Sequence, residues 1–135
     1  MTILAAAFMA SSCSQPVPTG GDYGPVPASR FRGKHVVFAT GTSGDRFIWE
    51  FSGDRFKISG DDGPIPRDAV FAILGKGQVA KAIDGRWTLD EQGLTLSGIT
   101  ADGKDGYKSV TLRPFMTPVV RVDLNGTQYV FRGLP

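Results

Sequence analysis

From Lys34 onward apolar and polar residues alternate with period two, the pattern of strands that bury one face. In the first run Val36 and Phe38 are expected inward, with His35 opposite on the surface. Phe47, Trp49 and Phe51 share a face of the second run, with Arg46 and Glu50 opposite. Ser52-Gly53-Asp54 then turns the chain into a strand whose inward residues are Phe56 and Ile58. Asp61-Asp62-Gly63-Pro64-Ile65-Pro66 interrupts the alternation. Pro66 suits a first helical position, Asp68 the positive helix end and Gly75 the C′ position, so one short helix is predicted here. Val70, Ile73 and Leu74 form its apolar side. Alternation returns with Ile83, Gly85, Trp87 and Leu89, then Leu94 and Leu96, Val110 and Leu112, and Val120, Val122 and Leu124. Asn125-Gly126, a strong hairpin signal, leads into Tyr129 and Phe131.

This pattern gives eight strands joined mostly by short turns, with the helix between the third and the fourth. Eight antiparallel strands in sequence order close most simply into an up-and-down barrel, which leaves no exposed edge. Glycine supports a turn-rich all-β fold: 18 of 135 residues, against a usual share of about 7%. Over residues 34–133 the chain resembles the lipocalin-like superfamily of small barrels, and Gly85-Arg86-Trp87 matches the Gly-x-Trp of a lipocalin's opening strand. Here that motif falls on the fourth strand, so the connection order departs from the family's. A helix followed by Ile-x-Gly-x-Trp also resembles uncharacterised bacterial envelope lipoproteins, a likeness that implies no activity.

The residues before the domain speak to location. Residues 1 to 13 carry no charged side chain, and Ile3 to Ala10 is an apolar run followed by Ser11-Ser12-Cys13. A secretory signal has an apolar centre of about 7 to 15 residues and small residues before its cleavage point. The run is too short to span a bilayer, which takes about 20 apolar residues. Ala10-Ser11-Ser12-Cys13 resembles the box of a bacterial lipoprotein signal, which implies that residues 1–12 are removed and Cys13 carries the lipid. Ordinary secretion, or a buried N-terminal helix with a core thiol, are the other readings. No Lys or Arg precedes the run, and a start upstream of Met1 would supply one. Between residues 14 and 29, Pro16, Pro18, Pro25 and Pro27 with Gly20, Gly21 and Gly24 read as an extended tether. The expected division is therefore signal 1–12, lipidated Cys13 and tether to residue 33, and barrel 34–135. Arg30, Arg32 and Lys34 read as a solvated strand end or as contacts to anionic head groups.

Candidate chemistry is sparse. A net charge of +2 is too small an excess to argue for nucleic acid. One Cys and one His exclude an intrachain disulfide and the usual protein metal sites, and no cofactor motif occurs. Asp61-Asp62-Gly63 and Asp102 with Asp105 lack calcium-loop spacing and read as turns. The expected interior offers no group that titrates near neutral pH, and Gly-x-Ser-x-Gly is absent, so no enzyme is expected. What remains is the barrel interior, lined by the aromatic candidates Phe38, Phe47, Trp49, Phe51, Phe56, Trp87, Tyr129 and Phe131, with Phe71 on the helix as part of a lid. Two functions follow. A hollow barrel would carry a small apolar ligand in the envelope. A filled one would act as an interaction, structural or inhibitor module through loops such as Gly41–Asp45 or Gly60–Pro66.

Overall fold

A computed structural model of the chain describes residues 26–41, 44–116 and 118–134. The apolar run, Cys13 and the Pro/Gly-rich stretch through residue 25 lie outside the described residues. The elements are β1 (Gly33–Ala39), β2 (Arg46–Ser52), β3 (Arg55–Gly60), α1 (Arg67–Leu74), β4 (Ala82–Asp90), β5 (Gly93–Ala101), β6 (Val110–Leu112), β7 (Phe115–Met116), β8 (Val120–Leu124) and β9 (Thr127–Gly133). All nine strands among the described residues belong to one antiparallel sheet, in the order β6-β5-β4-β3-β2-β1-β9-β8-β7. Neighbours are consecutive in sequence except where β9 meets β1, which pairs the last strand with the first. The sheet curls into a half-barrel. Only Arg113 and Pro114 separate its edge strands β6 and β7 in sequence, yet no ladder joins them among the described residues.

The ninth strand corrects the expected eight. Pro114 has no N–H to place in a ladder, so the chain leaves one edge after Leu112 and joins the other at Phe115, opposite Arg121. A two-residue strand is too short to display alternation.

The first strand is turned over relative to expectation. His35, Val37 and Ala39 point inward, while Val36 and Phe38 lie half-buried on the outer face. Val36-Val37-Phe38 is apolar throughout, so alternation alone leaves its phase open. Pairing decides it, because Val37 stands opposite both Phe47 and Phe131. Outside, the guanidinium of Arg132 covers the Phe38 ring, 5.7 Å from its centroid.

Near the end of β5 the phase changes again. Leu94 and Leu96 point inward, and so do Ile99 and Ala101, across Gly98 at φ 54°. The register of β4 and β5 shifts at the same level, between Asp84 and Arg86, as a bulge requires.

Helix α1 forms between its expected end signals, each shifted by one position: Pro66 is the N-cap and Gly75 the C-cap, left-handed at φ 73° with its N–H bonded to the Phe71 carbonyl. Ala69, Val70, Ile73 and Leu74 are buried against one end of the sheet. The opposite end is closed by residues assigned above to the tether. Ala28–Arg30 form one 3₁₀ turn, and both Val26 and Phe31 are buried in the core. The folded domain thus begins before residue 34, and among residues 26–33 the tether expectation is corrected.

Candidate functional site

Inside the curled sheet the inward faces of β2, β3, β4 and β9 converge. Strict alternation puts Phe47, Trp49 and Phe51 on one line, and register sets Phe51 opposite Phe56 on β3. Gly85 stands opposite Phe56 on β4. Its α-carbon has no room for a side chain, since a Cβ there would lie 2.6 Å from the Ser97 carbonyl oxygen and 3.0 Å from the Phe56 ring. The motif glycine is therefore a packing residue. Trp87, two residues on, donates its Nε1–H to the Gly53 carbonyl at 3.0 Å.

Of the sequence-derived ligand candidates, Phe47, Trp49, Phe51, Phe56, Trp87, Tyr129 and Phe131 are brought together and buried. Phe38 and Phe71 are not. Phe38 lies on the outer face for the reason of phase given above. Phe71 is 46% exposed because the helix turns its opposite side to the sheet. Residue Cys13 lies outside the described residues.

The rings touch one another in a continuous set. Trp49 stacks on Phe51 at 5.3 Å and 18°, and Phe51 meets Trp87 edge-on at 5.0 Å. Phe47 joins Trp49 to Tyr129, with centroids 5.9 and 5.6 Å away. Phe31, which alternation does not reach, sits among them at 5.4 Å from Phe51, 5.7 Å from Phe131 and 6.4 Å from Trp87. Arg30 and Arg32 flank it in a stretch without periodicity, so the only sequence signal was an isolated aromatic residue.

His35 is a further residue that sequence reasoning misplaced. It is buried beside Phe51 and Phe131, and its Nε2 lies 2.6 Å from the Phe31 carbonyl oxygen. A carbonyl can only accept, so Nε2 carries the proton and ties β1 to the Phe31 segment. The other ring nitrogen, Nδ1, has no partner, nor do Trp49 Nε1 and the Tyr129 hydroxyl. Burial pushes the Tyr129 phenol up to about 12, with smaller contributions from the charges of Asp45 and Asp68. It stays a neutral donor at ordinary pH. The described set can stack on and hydrogen-bond to a guest, but it brings no carboxylate into the interior.

The acidic turns are occupied with structure. Asp102, at φ 50°, accepts the N–H groups of Lys81 and Ala82 at 3.1 and 2.9 Å, and Asp61 pairs with Arg46 at 2.9 Å. Among the described residues no group of three His, Cys, Asp or Glu is placed to hold a metal ion. No helix among them is long and apolar enough to cross a membrane. In comparisons with protein-family models, with curated proteins and with solved structures, nothing matches the chain.

Proposed function

We propose that this chain is a lipid-anchored bacterial envelope protein whose domain is a non-enzymatic interaction module, acting through its surface. The observation that carries this reading is Phe31. A ligand carrier needs an open interior with a way in. Here the α1 end is covered by an apolar helix face, and the segment 26–31 lays Phe31 across the aromatic cluster from the other end. The rings then have one another as neighbours. Among the described residues the buried polar side-chain groups are the Tyr129 phenol, the Trp49 indole N–H and His35, whose protonated nitrogen is committed to a backbone carbonyl. That arrangement supports a structural use of these groups in place of acid–base chemistry. The anchor is supported by the apolar run ending in Ala10-Ser11-Ser12-Cys13.

The second reading is carriage of a small apolar ligand within a lipocalin-like barrel. It is favoured by the three interior polar atoms without partners, which a guest with a polar group would satisfy.

Native mass spectrometry on the full-length protein, released from its own cell envelope with mild detergent, tests both parts. The expected species is a chain cleaved before Cys13 and heavier by its acyl groups, with no further non-covalent mass. A guest of several hundred daltons lost on denaturation would overturn the surface reading in favour of carriage. An unmodified Cys13 would overturn the anchor.

A further inference from the structure

The charges of this molecule are unevenly placed. At the end opposite α1, where the chain enters the fold, lie Arg30, Arg32, Lys34, Arg55, Arg86, Arg113 and Arg132, against the carboxylates Glu50, Asp54, Asp90 and Glu91. The remaining described charges balance, eight of each sign. Five of these cations, Arg30, Arg32, Lys34, Arg55 and Arg86, lie on the entering segment, at the starts of β1 and β3, and on β4 opposite the start of β3, with Lys34 opposite Glu50. Arg32 reaches the Gly53 carbonyl at 3.3 Å and lies over the Trp87 ring at 5.3 Å, which sets it beside the β2–β3 turn. Arg55 and Arg86 stand directly opposite each other on β3 and β4. Like charges so placed destabilise a sheet. Their relief within the chain is slight, since Asp84 and Asp54 approach only to 4.0 and 3.9 Å with all partners well exposed. Such pairs contribute little in water. An anion supplied from outside would relieve the pair further.

Two of the exposed large apolar residues share this end. Leu134, 37% exposed, follows β9 and donates its N–H to the Lys34 carbonyl, and Val119, 40% exposed, precedes β8. Cations interspersed with exposed aliphatic groups fit the head-group layer of a bilayer, where charge meets phosphate and aliphatic carbon meets the acyl boundary. The chain also enters the fold at this end. Twelve residues separate Cys13 from Val26, a covalent reach of at most about 45 Å. An anchor at Cys13 therefore draws this end toward the membrane.

We propose that the end of the sheet bearing Arg30, Arg32, Lys34, Arg55 and Arg86 is a docking surface for anionic lipid head groups, holding the domain against the membrane with α1 pointing away. The orientation rests on the anchored reading, whereas the surface itself is testable without the anchor. Full-length C13S protein, which cannot be acylated, is titrated with vesicles of phosphatidylcholine alone or with about one-third phosphatidylglycerol. The inference predicts stronger binding to the anionic vesicles and loss of that preference as salt shortens the screening length. Each membrane-facing cation is worth about fivefold in partitioning. The triple variant R30Q/R55Q/R86Q should then bind roughly a hundredfold more weakly, and R30K/R55K/R86K should retain binding. Removing three cations near the other end, K81Q/K104Q/K108Q, should change binding less than about fivefold.

Thermal unfolding of each variant establishes that it is folded. If the glutamine triple is not, the lysine triple and the opposite-end triple still decide. Binding indifferent to head-group charge, or weakened equally from either end, would overturn the inference. An unacylated Cys13 in the native protein would remove the anchor while leaving this result standing.

Discussion

Phe31 and Phe71 are the same residue type in opposite circumstances, and they show what a single side chain contributes. Phe31 is fully buried among Phe51, Trp87 and Phe131, and its carbonyl holds His35. Truncation of such a ring costs about 3–5 kcal/mol, so Phe31→Ala should lower the free energy of unfolding in urea by that amount. Phe71→Ala, on an exposed helix face, should cost less than about 1 kcal/mol. Tyr129 makes a prediction in pH. Its phenol is raised from about 10 to about 12, so its contribution is fully present below pH 10 and is lost as pH rises toward 12, where the unfolded chain ionises first. Two units correspond to about 2–3 kcal/mol. Tyr129→Phe should flatten the alkaline loss of stability by that order. It should leave stability at pH 7 unchanged or slightly higher, because the hydroxyl has no partner there. A clear loss at pH 7 would mean that the hydroxyl is satisfied in solution. Residues in cleanly alternating runs, such as Trp49 and Tyr129, were legible from sequence alone. Phe31 was not, because burial from an irregular segment leaves no period to read.

At the scale of elements, legibility followed punctuation. Helix α1 could be read because Pro66, Asp68 and Gly75 mark its ends, and the Asn125-Gly126 turn marked the last hairpin. Where apolar residues run together, as in Val36-Val37-Phe38, alternation could not choose a face. The pairing of β1 with both β2 and β9 made that choice. Asp68 joins two of these elements, since Thr127 Oγ1 donates to its carboxylate at 2.6 Å and Asn125 Nδ2 at 3.4 Å, tying α1 to the β8–β9 turn. The same carboxylate lies in the first turn of the helix, where negative charge is favourable. Asp68→Ala should cost about 1–2 kcal/mol. Native-state hydrogen exchange should show the α1 amides losing protection before those of β1 and β2. Uniform loss across the sheet would mean that helix and sheet open as one unit.

For the whole molecule, the sequence conveyed a meander of antiparallel strands, because short turns between alternating runs leave few other arrangements. It could not convey that β6 and β7 stay unpaired among the described residues, with Pro114 between them and β7 only two residues long. Nor could it convey the N-terminal segment folded across the interior. Together these features make a half-barrel with an apolar helix over one end and the Phe31 segment over the other. One end carries seven cations against four carboxylates, and the remaining described charges balance. The proposed function lies on the outside of this molecule because the inward aromatic side chains, Phe31 among them, pack against one another.

The most direct test is whether the interior admits an apolar guest. Full-length protein and its Phe31→Ala variant are titrated with N-phenyl-1-naphthylamine, and binding is read by energy transfer from Trp49 and Trp87. No saturable transfer is expected in the native chain and a new saturable site is expected in the variant, as apolar cavities opened by truncation take up small aromatic molecules. Saturable transfer in the native chain, undiminished or weakened by Phe31→Ala, would contradict the surface reading and place the function inside the sheet.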